Sequence, residues 1–276
     1  MIIDSHQHFW KYDPQKHSWI NDKMSRLKQD FLPTHLQKEF NANGVSGCIA
    51  VQADQSEAET EFLLSLADQN SFIKGVVGWV DLRSEQVEER LSHFAKFPKL
   101  VGFRHVVQDE PDNNFVLREE FKRGVSLLSR YGLTYDILIY PTQMPAANKI
   151  VEAFPDQKFV IDHLAKPYIK KGTIEPWKTE LKSLAAKDNV YCKVSGMVTE
   201  ADWQNWQYDD FVPYLDATFE FFGADRIMFG SDWPVCLLAG EYSEVKSIIE
   251  KYIAALSEDE KSKIMGRTAQ VFYGIS

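Results

Sequence analysis

The stretch Asp4-Ser5-His6-Gln7-His8-Phe9-Trp10 closes the first strand-like segment of the chain, and the rest of the sequence is interpreted outward from it. Side chains two positions apart on a β-strand point to the same face, so His6 and His8 are expected to aim two imidazoles at one point. The same alternation is expected to turn Asp4 to that face. Few structural needs require such a pair, and the stretch therefore predicts one wall of an active site.

The rest of the chain repeats an apolar, strand-like run followed by a helix with one apolar face. Mostly apolar strands are typical of a parallel sheet that helices cover on both sides, so the pattern predicts an α/β fold, a closed (β/α)8 TIM barrel. An open doubly wound sheet is the alternative, but no Gly-x-Gly-x-x-Gly turn follows the first strand. The eight predicted strands are residues 2–8, 47–53, 72–81, 100–106, 134–139, 158–163, 190–195 and 226–232.

Capping signals indicate where the helices begin. Thr34 and Ser56 each start a capping-box spacing, and Ser84 is expected to cap the third helix. Ser257 caps one more helix after the eighth unit. Residues 10–31 contain no convincing regular element, and long ordered loops are usually functional. The prediction is a barrel with a long loop after strand one and an extra C-terminal helix.

Composition limits the organisation of the chain and its partners. A chain of 276 residues with 44% hydrophobic content can bury one large core, so a single domain over residues 1–276 is expected. The net charge of -9 and the pI near 5.3 argue against attraction to nucleic acid or anionic lipid. No stretch resembles a membrane span. The expected partner is a small molecule, and a homo-oligomer is compatible with the sequence.

The three cysteines indicate a reducing environment. They are widely separated and show no Cys-x-x-Cys spacing for zinc or redox chemistry. Cys48 and Cys192 lie within apolar strands and are expected to be small buried hydrophobes. The first residues lack the basic region, long apolar run and cleavage site of a secretion signal. A cytoplasmic location is therefore expected.

Polar residues at the carboxyl ends of the predicted strands receive a functional interpretation, because barrel enzymes assemble their active sites there. His6, His8, His163 and Asp232 all lie at such ends, where alternation lets them converge. Imidazole and carboxylate groups can hold a divalent metal, or can act without one as hydrogen-bond donors and a base. The residues alone leave both arrangements open.

Arg104 and His105 end the fourth strand, and alternation lets only one of them point inward. Arg104 is favoured, because a guanidinium fork suits a carboxylate, carbonyl or polyhydroxy substrate, although a salt bridge at the rim is the alternative. His105 is either a substrate contact or a packing residue. Lys166, in the loop after strand six, either reaches the same pocket or is a solvated loop lysine.

Aromatic residues near the mouth are candidate walls of the pocket. Trp79 and Trp233 are predicted to contact substrate, with Tyr140 as a further candidate and packing as the alternative for all three. Lys193 lies inside an apolar strand, which suggests pairing at the pocket or with a carboxylate such as Asp136.

Four motifs follow one another at the strand ends: Asp-x-His-x-His at 4–8, Gly-Phe-Arg-His at 102–105, Asp-His-Leu-Ala-Lys-Pro at 162–167 and Gly-Ser-Asp-Trp-Pro at 230–234. Together they resemble the amidohydrolase superfamily. More narrowly, the chain is similar to the amidohydrolase 2 group, which includes sugar lactonases of the L-fuconolactonase and L-rhamnonolactonase kind and 2-pyrone-4,6-dicarboxylate lactonase.

The resemblance implies roles for the candidate residues. Asp232 would activate the hydrolytic water, and His6, His8 and His163 would surround the lactone carbonyl or a metal. Arg104 and Lys166 would orient the substrate. The implied reaction is hydrolysis of a sugar-derived lactone to its aldonic acid. A metal-dependent decarboxylase of a carboxylated small molecule is the alternative, and a sugar-acid binding protein is the non-catalytic one.

The chain departs from the binuclear members of that superfamily, which carry a bridging lysine on strand four and a histidine on strand five. Here strand four ends Arg104-His105, and strand five contains Tyr135-Asp136-Ile137. At most one metal, such as zinc, is therefore expected. Its ligands would be His6, His8, His163 and Asp232. The lactonase group also includes enzymes that work without metal, so that arrangement stays open.

Overall fold

Eight parallel strands pair in sequence order in the computed structural model, which describes residues 1–276. The ring closes where Gln7 bridges Trp233, and the His8 N–H donates to the Trp233 carbonyl at 2.7 Å. The predicted (β/α)8 barrel is confirmed, because an open sheet would leave both outer strands without a partner. The strands are β1 Ile3–Gln7, β2 Gly47–Val51, β3 Ile73–Gly78, β4 Leu100–Val106, β5 Thr134–Leu138, β6 Phe159–Ile161, β7 Val190–Val194 and β8 Ile227–Phe229.

Helices surround the sheet and confirm the predicted extra element at the C-terminus. The long segment after β1 contains only the short 3-10 helix Asp22–Leu27, and Trp10 pairs with Phe31 across its base. No helix is long and apolar enough to cross a membrane. The α-helices are α1 Pro33–Asn43, α2 Glu57–Gln69, α3 Val87–Phe94, α4 Glu119–Leu128, α5 Met144–Ala153, α6 Trp177–Ala185, α7 Met197–Glu200, α8 Tyr208–Phe222, α9 Tyr242–Tyr252, α10 Glu258–Ser262 and α11 Thr268–Tyr273.

Two of the four predicted caps form. The hydroxyls of Ser56 and Ser257 accept backbone N–H groups in the first turns of α2 and α10. The Thr34 cap was wrong: α1 begins one residue earlier at Pro33, whose fixed φ suits a first helical position. Ser84 accepts a backbone N–H in the turn that precedes α3 and does not cap the helix.

The apolar core has two parts. The larger, of 69 buried residues, lies mostly between the sheet and the helices, and it contains Cys48 and Cys192, both free and buried as predicted. The smaller fills the end of the barrel opposite the carboxyl ends of the strands, and α11 closes it from below. We call it the lower cluster: Ile3, Ile49, Val51, Val77, Val101, Val160, Met228, Ala269, Phe272 and Tyr273.

Candidate active site

Four of the predicted residues meet at the carboxyl ends of the strands. The Nε2 atoms of His6 and His8 are 3.2 Å apart, and Asp232 Oδ1 is 3.4 Å from His8 Nε2. The same carboxylate oxygen is 3.9 Å from the Nε2 atoms of both His6 and His163. All four side chains are buried. The structure therefore brings the predicted set together around one carboxylate.

Asp4 does not share the face of His6, which corrects the expectation from strict alternation. The register of β1 against β2 shifts after Asp4, so the period of two breaks before the histidines. Asp4 instead accepts hydrogen bonds from the N–H and hydroxyl of Ser231, at 2.9 and 2.6 Å, and from the Tyr242 hydroxyl at 3.0 Å. Burial raises its pKa to about 6. These bonds fix the loop that carries Asp232.

His163 and Asp232 lie beyond their strands, which corrects the predicted ends of the sixth and eighth strands. Residues 163–166 and Asp232 all have φ between 50° and 58°, in the left-handed region. That region costs a non-glycine residue about 1–2 kcal/mol. Such strain is typical of functional sites, where surrounding contacts impose it. Here the left-handed turn, not strand alternation, places both His163 and Lys166 at the cavity.

Residues of the loop after β7 hold the His163 ring. Ser195 Oγ lies 2.8 Å from His163 Nδ1. A Cβ at Gly196, where φ is +62°, would lie 2.5 Å from the same nitrogen, so only glycine fits there. Because the Asp232 carboxylate faces Nε2 of this ring, we assign the Ser195 hydroxyl as the donor to Nδ1. The ring proton is then on Nε2, where it faces the carboxylate.

Charge states at the site follow from burial and neighbours. Burial lowers the pKa of His6 and of His163 well below the usual range, so both rings are neutral at pH 7. Burial alone would raise the pKa of Asp232, but the facing His163 and His8 outweigh it and hold that pKa below its ordinary value. The site therefore presents an ionised carboxylate among imidazoles.

A buried network of opposite charges lies beneath the site. Lys193 donates to Asp136, as predicted, and its Nζ is 3.0 Å from Asp162 Oδ1. Arg104 Nη1 donates to Asp162 Oδ2 at 3.0 Å, and His6 Nδ1 lies 3.2 Å from Asp162 Oδ1. Asp162 was missed as a site residue. Its only signal was its place directly before His163, at the start of the motif that runs from residue 162 to residue 167.

The acceptors at the site face one another in a way that fits a cation. His8 Nδ1 donates to the Val51 carbonyl at 2.8 Å, so in a neutral ring Nε2 would be a bare acceptor opposite the Asp232 carboxylate, a position that a proton or a cation satisfies. If His6 Nδ1 donates to Asp162, its Nε2 is a second bare acceptor. A tetrahedral zinc ion spaces its ligands about 3.3 Å apart. The separations among His6, His8 and Asp232 therefore suit one divalent metal.

The position of His163 differs from the predicted four-ligand set. His6, His8 and Asp232 form one group of potential ligands, whereas His163 groups with His6 and Asp162. Arg104 Nη1 also lies 3.3 Å from His6 Nε2 and competes for its lone pair. His163 is therefore better placed to contact a substrate than to complete a metal site.

A cavity of about 530 Å³ opens above these groups, a size that suits a small molecule. His6 does not line it and lies beneath the floor. The floor contains His8, Arg104, His163, Lys166 and Asp232. The walls come from the loops after β1, β2, β4, β5, β7 and β8, and include Trp19, Met24, Asp54, Gln55, Gln108, Asp109, Tyr140, Glu200, Trp203, Val235 and Leu238.

Lys166, on the floor of the cavity, is already paired with Glu200 of the wall. Its Nζ lies 2.9 Å from Glu200 Oε1 and 5.6 Å from the centre of the Tyr140 ring. The sequence offered no signal for Glu200. The tryptophans Trp19 and Trp203 were signalled only by the long loop after β1 and by a Trp-rich segment after β7.

Two predicted substrate contacts lie on the outer side of the barrel. The alternation that turns Arg104 inward turns His105 outward, where its ring stacks on Phe115 at 4.7 Å and its Nε2 pairs with Glu110 at 2.8 Å. Trp79 Nε1 donates to His105 Nδ1 at 3.3 Å. Neither His105 nor Trp79 lines the cavity.

Trp233 is also outside the cavity lining. Its ring packs edge-on against Phe9 and Phe31, and its carbonyl accepts the bond that closes the barrel. The residue next to the catalytic candidate Asp232 therefore supports the base of the long loop, because successive residues in the turn point in different directions.

The sequence is similar to known proteins along its whole length. The family model described as Amidohydrolase matches residues 3–275. L-fucono-1,5-lactonase from Burkholderia multivorans is 40% identical over 284 residues, covering 99% of this chain and 96% of the relative. L-fucono-1,5-lactonase from Burkholderia ambifaria is 32% identical, covering 99% and 95%. A solved structure of an amidohydrolase from Burkholderia multivorans with bound zinc has a TM-score of 0.97 at 40% identity, over 100% of both chains.

Proposed function

This chain belongs to the amidohydrolase family, and from that premise we propose that it is a hydrolase that opens a sugar-derived lactone, of the L-fucono-1,5-lactone type, to its aldonic acid. The observation that carries the proposal is the ionised Asp232 at the floor of a small-molecule cavity, with the His163 Nε2 atom 3.9 Å away. A base beside a hydrogen-bond donor is what ester hydrolysis requires.

Asp232 acts as the base. It takes a proton from water as the water oxygen bonds to the lactone carbonyl carbon, and a tetrahedral intermediate forms. When the intermediate collapses, the ring C–O bond breaks and protonated Asp232 returns its proton to the leaving alkoxide. General acid–base catalysis of this kind contributes about 10²–10⁴-fold to the rate.

The carbonyl oxygen needs donors as it gains negative charge. The Nε2–H of neutral His163 lies at the cavity floor, and the guanidinium of Arg104, anchored on Asp162 and on the Gln52 carbonyl, adds positive charge there. A divalent metal bound by His6, His8 and Asp232 would supply Lewis-acid polarisation of the carbonyl.

The charges of the cavity favour a neutral polyhydroxy substrate. Its two inner cations, Arg104 and Lys166, are paired with Asp162 and Glu200, and Lys16 lies exposed at the rim. A carboxylated substrate, such as a pyrone dicarboxylate or the substrate of a decarboxylase, would find no unpaired cation on the floor. Sugar hydroxyls instead find acceptors in the carboxylates and amides of the walls.

The test is a pH-indicator assay of the purified protein on a panel of aldono-1,4- and aldono-1,5-lactones, with a pyrone dicarboxylate and carbon dioxide detection in parallel. We expect enzyme-dependent acid release from neutral aldonolactones above the spontaneous rate, without carbon dioxide. Release of carbon dioxide from a carboxylated substrate would contradict the proposal. So would ligand-dependent stabilisation by sugar acids with no turnover of any lactone, since that is the behaviour of a binding protein.

A further inference from the structure

A line of buried polar groups runs from the C-terminal helix through the barrel to the candidate site. The Tyr273 hydroxyl donates to Asp136 Oδ2 at 2.8 Å, and Lys193 donates to the same oxygen. Lys193 Nζ then reaches Asp162 Oδ1, the oxygen that faces His6 Nδ1. Each link is a direct contact, so the last helix of the chain is connected to the first strand's histidine through four side chains.

This line has no evident structural need. Asp136 and Lys193 are fully buried, in a barrel whose lower end is otherwise filled by the apolar lower cluster. Buried ion pairs are often no more stable than the apolar side chains that could replace them. Asp136 Oδ1 has no hydrogen-bond partner, so Tyr273 and Lys193 are the two donors that hold this carboxylate.

Tyr273 is held firmly enough to orient its partners. Its ring lies in the lower cluster, and Lys193 Nζ is 5.7 Å from the ring centre. A Cβ at Gly266, just before α11, would lie 2.4 Å from the Met1 carbonyl oxygen, so the backbone there packs directly on the amino-terminal residues. Tyr273 thus lies on a firmly packed helix and contacts both members of the Asp136–Lys193 pair.

The His6 ring has two competing partners at Nδ1. Asp162 Oδ1 can accept a proton from this nitrogen, and Lys193 Nζ, 3.2 Å away, can donate one to it. The position of Lys193, which Asp136 holds, therefore decides which of these two partners the Nδ1 atom takes and how the ring is oriented.

We propose that Tyr273 is a positioning residue for the active site, which holds Asp136 and Lys193 where they fix the proton and orientation of the His6 ring. The inference rests on the proposed function for its kinetic effect. Tyr273 does not line the cavity, so it acts without touching substrate. Its loss therefore lowers kcat and leaves KM unchanged.

The variant that tests this is Tyr273→Phe, which keeps the ring and removes only the hydroxyl. We expect kcat on the best aldonolactone to fall about tenfold, the lower end of the loss seen when a direct partner of a ligating histidine is removed, with KM within twofold. The ¹⁵N signals of the His6 ring, assigned with His6→Gln, are expected to shift. Phe272→Leu, in the same helix and the same lower cluster, is the matched control and should leave kcat and the His6 signals unchanged.

A double variant separates positioning from packing. If Tyr273 acts through Asp136, adding Tyr273→Phe to Asp136→Asn causes no further loss of kcat, whereas independent packing effects would multiply. Unchanged kcat and unchanged His6 signals in Tyr273→Phe would overturn the proposal. Shifted His6 signals in a protein that hydrolyses no lactone would sustain the positioning role and overturn the proposed function, so the two failures are distinguishable.

Discussion

Two of the histidine–carboxylate pairs at the carboxyl ends of the strands, His8–Asp232 and His105–Glu110, differ in their access to the cavity, and only the first opens into it. His8 faces Asp232 at 3.4 Å, and His105 faces Glu110 at the shorter distance of 2.8 Å. Both histidines are buried. The closer pair lies on the outer face of β4, away from the cavity. A short distance between imidazole and carboxylate therefore does not identify an active site.

The two pairs differ in the partners of their imidazole nitrogens. Both nitrogens of His105 have partners, Glu110 and Trp79, and its ring is covered by Phe115. His8 has one nitrogen on a backbone carbonyl, and its other nitrogen faces the acceptor Asp232. That arrangement is complete only with a proton, a metal or a substrate between the two groups. The His105–Glu110 pair needs no further group, whereas the His8–Asp232 pair faces the cavity and can take one.

Among the substitutions that test this comparison, Asp232→Asn is expected to have the largest effect on kcat. Asparagine tolerates the left-handed backbone at this position, so the fold should persist while the base is lost. We expect kcat on the best aldonolactone to fall about 10³-fold. The measurement is steady-state kinetics with circular dichroism to check the fold. Glu110→Gln, in the other pair, is the control and should stay within twofold. A folded Asp232→Asn variant with more than a tenth of the original kcat would remove Asp232 as the base.

The second test concerns His163, the hydrogen-bond donor beside Asp232. We expect His163→Asn to lower kcat about 10²-fold, because it removes the neutral N–H that faces Asp232. Ser195→Ala keeps the ring but frees its tautomer, and we expect a smaller loss of about tenfold. Kinetics on a lactone panel measure both. Equal losses in the two variants would contradict a role of Ser195 that is confined to orienting the ring.

The sequence was sufficient to predict the barrel and the convergence of His6, His8, His163 and Asp232, because polar side chains at the ends of apolar strands seldom serve packing alone. It could not show how His163 and Asp232 reach the site. Both lie in left-handed turns imposed by distant contacts, such as the Asp4 bonds to Ser231. The register shift in β1 is likewise set by pairing with β2, which alternation within one strand cannot reveal.

The cavity walls were less predictable than its floor. Trp79 and Trp233 were chosen because they lie near the mouth of the barrel, but both side chains point away from the cavity. Glu200 lies in the short helix α7, and only its contact with Lys166 across two loops gives it a role. Residues on loops from different strands meet through tertiary packing, which no local pattern encodes.

A finer test uses the pair that Lys166 of the cavity floor forms with Glu200 of the wall. Glu200→Gln keeps the shape but leaves the Lys166 ammonium unpaired. We expect KM for a neutral aldonolactone to rise about fivefold, comparable to one lost hydrogen bond of about 1 kcal/mol. We expect KM for a lactone that carries a second carboxylate to fall, because a free cation now faces it. Parallel KM measurements on the two substrates check this, with kcat as the control. A rise in both KM values would contradict the neutral-substrate argument.

The smallest effect on activity is expected for His105→Gln. This variant should change the pH dependence of the free energy of unfolding and leave kcat unchanged, which distinguishes the His105–Glu110 pair from the His8–Asp232 pair. Burial lowers the pKa of His105, although Glu110 opposes this shift. The folded protein therefore binds a proton at His105 less readily than the unfolded chain, in which the pKa of histidine is about 6.5. The stability that neutral His105 contributes is therefore present above that pH and is lost as pH falls, by at most about 1.4 kcal/mol per pH unit.

Urea unfolding of both proteins at pH 7.5, 6.5 and 5.5 measures this contribution. The lowered pKa values of His6 and His163 also make the protein less stable in acid. Both residues are present in the parent and the variant, so the difference in unfolding free energy between the two proteins isolates His105. We expect His105→Gln to lose less stability than the parent between pH 7.5 and 5.5, with kcat on the best lactone within twofold at pH 7.5. A tenfold loss of kcat would contradict the structural role of the His105–Glu110 pair, because a histidine whose nitrogens are both bonded and whose ring is covered does not contact the substrate.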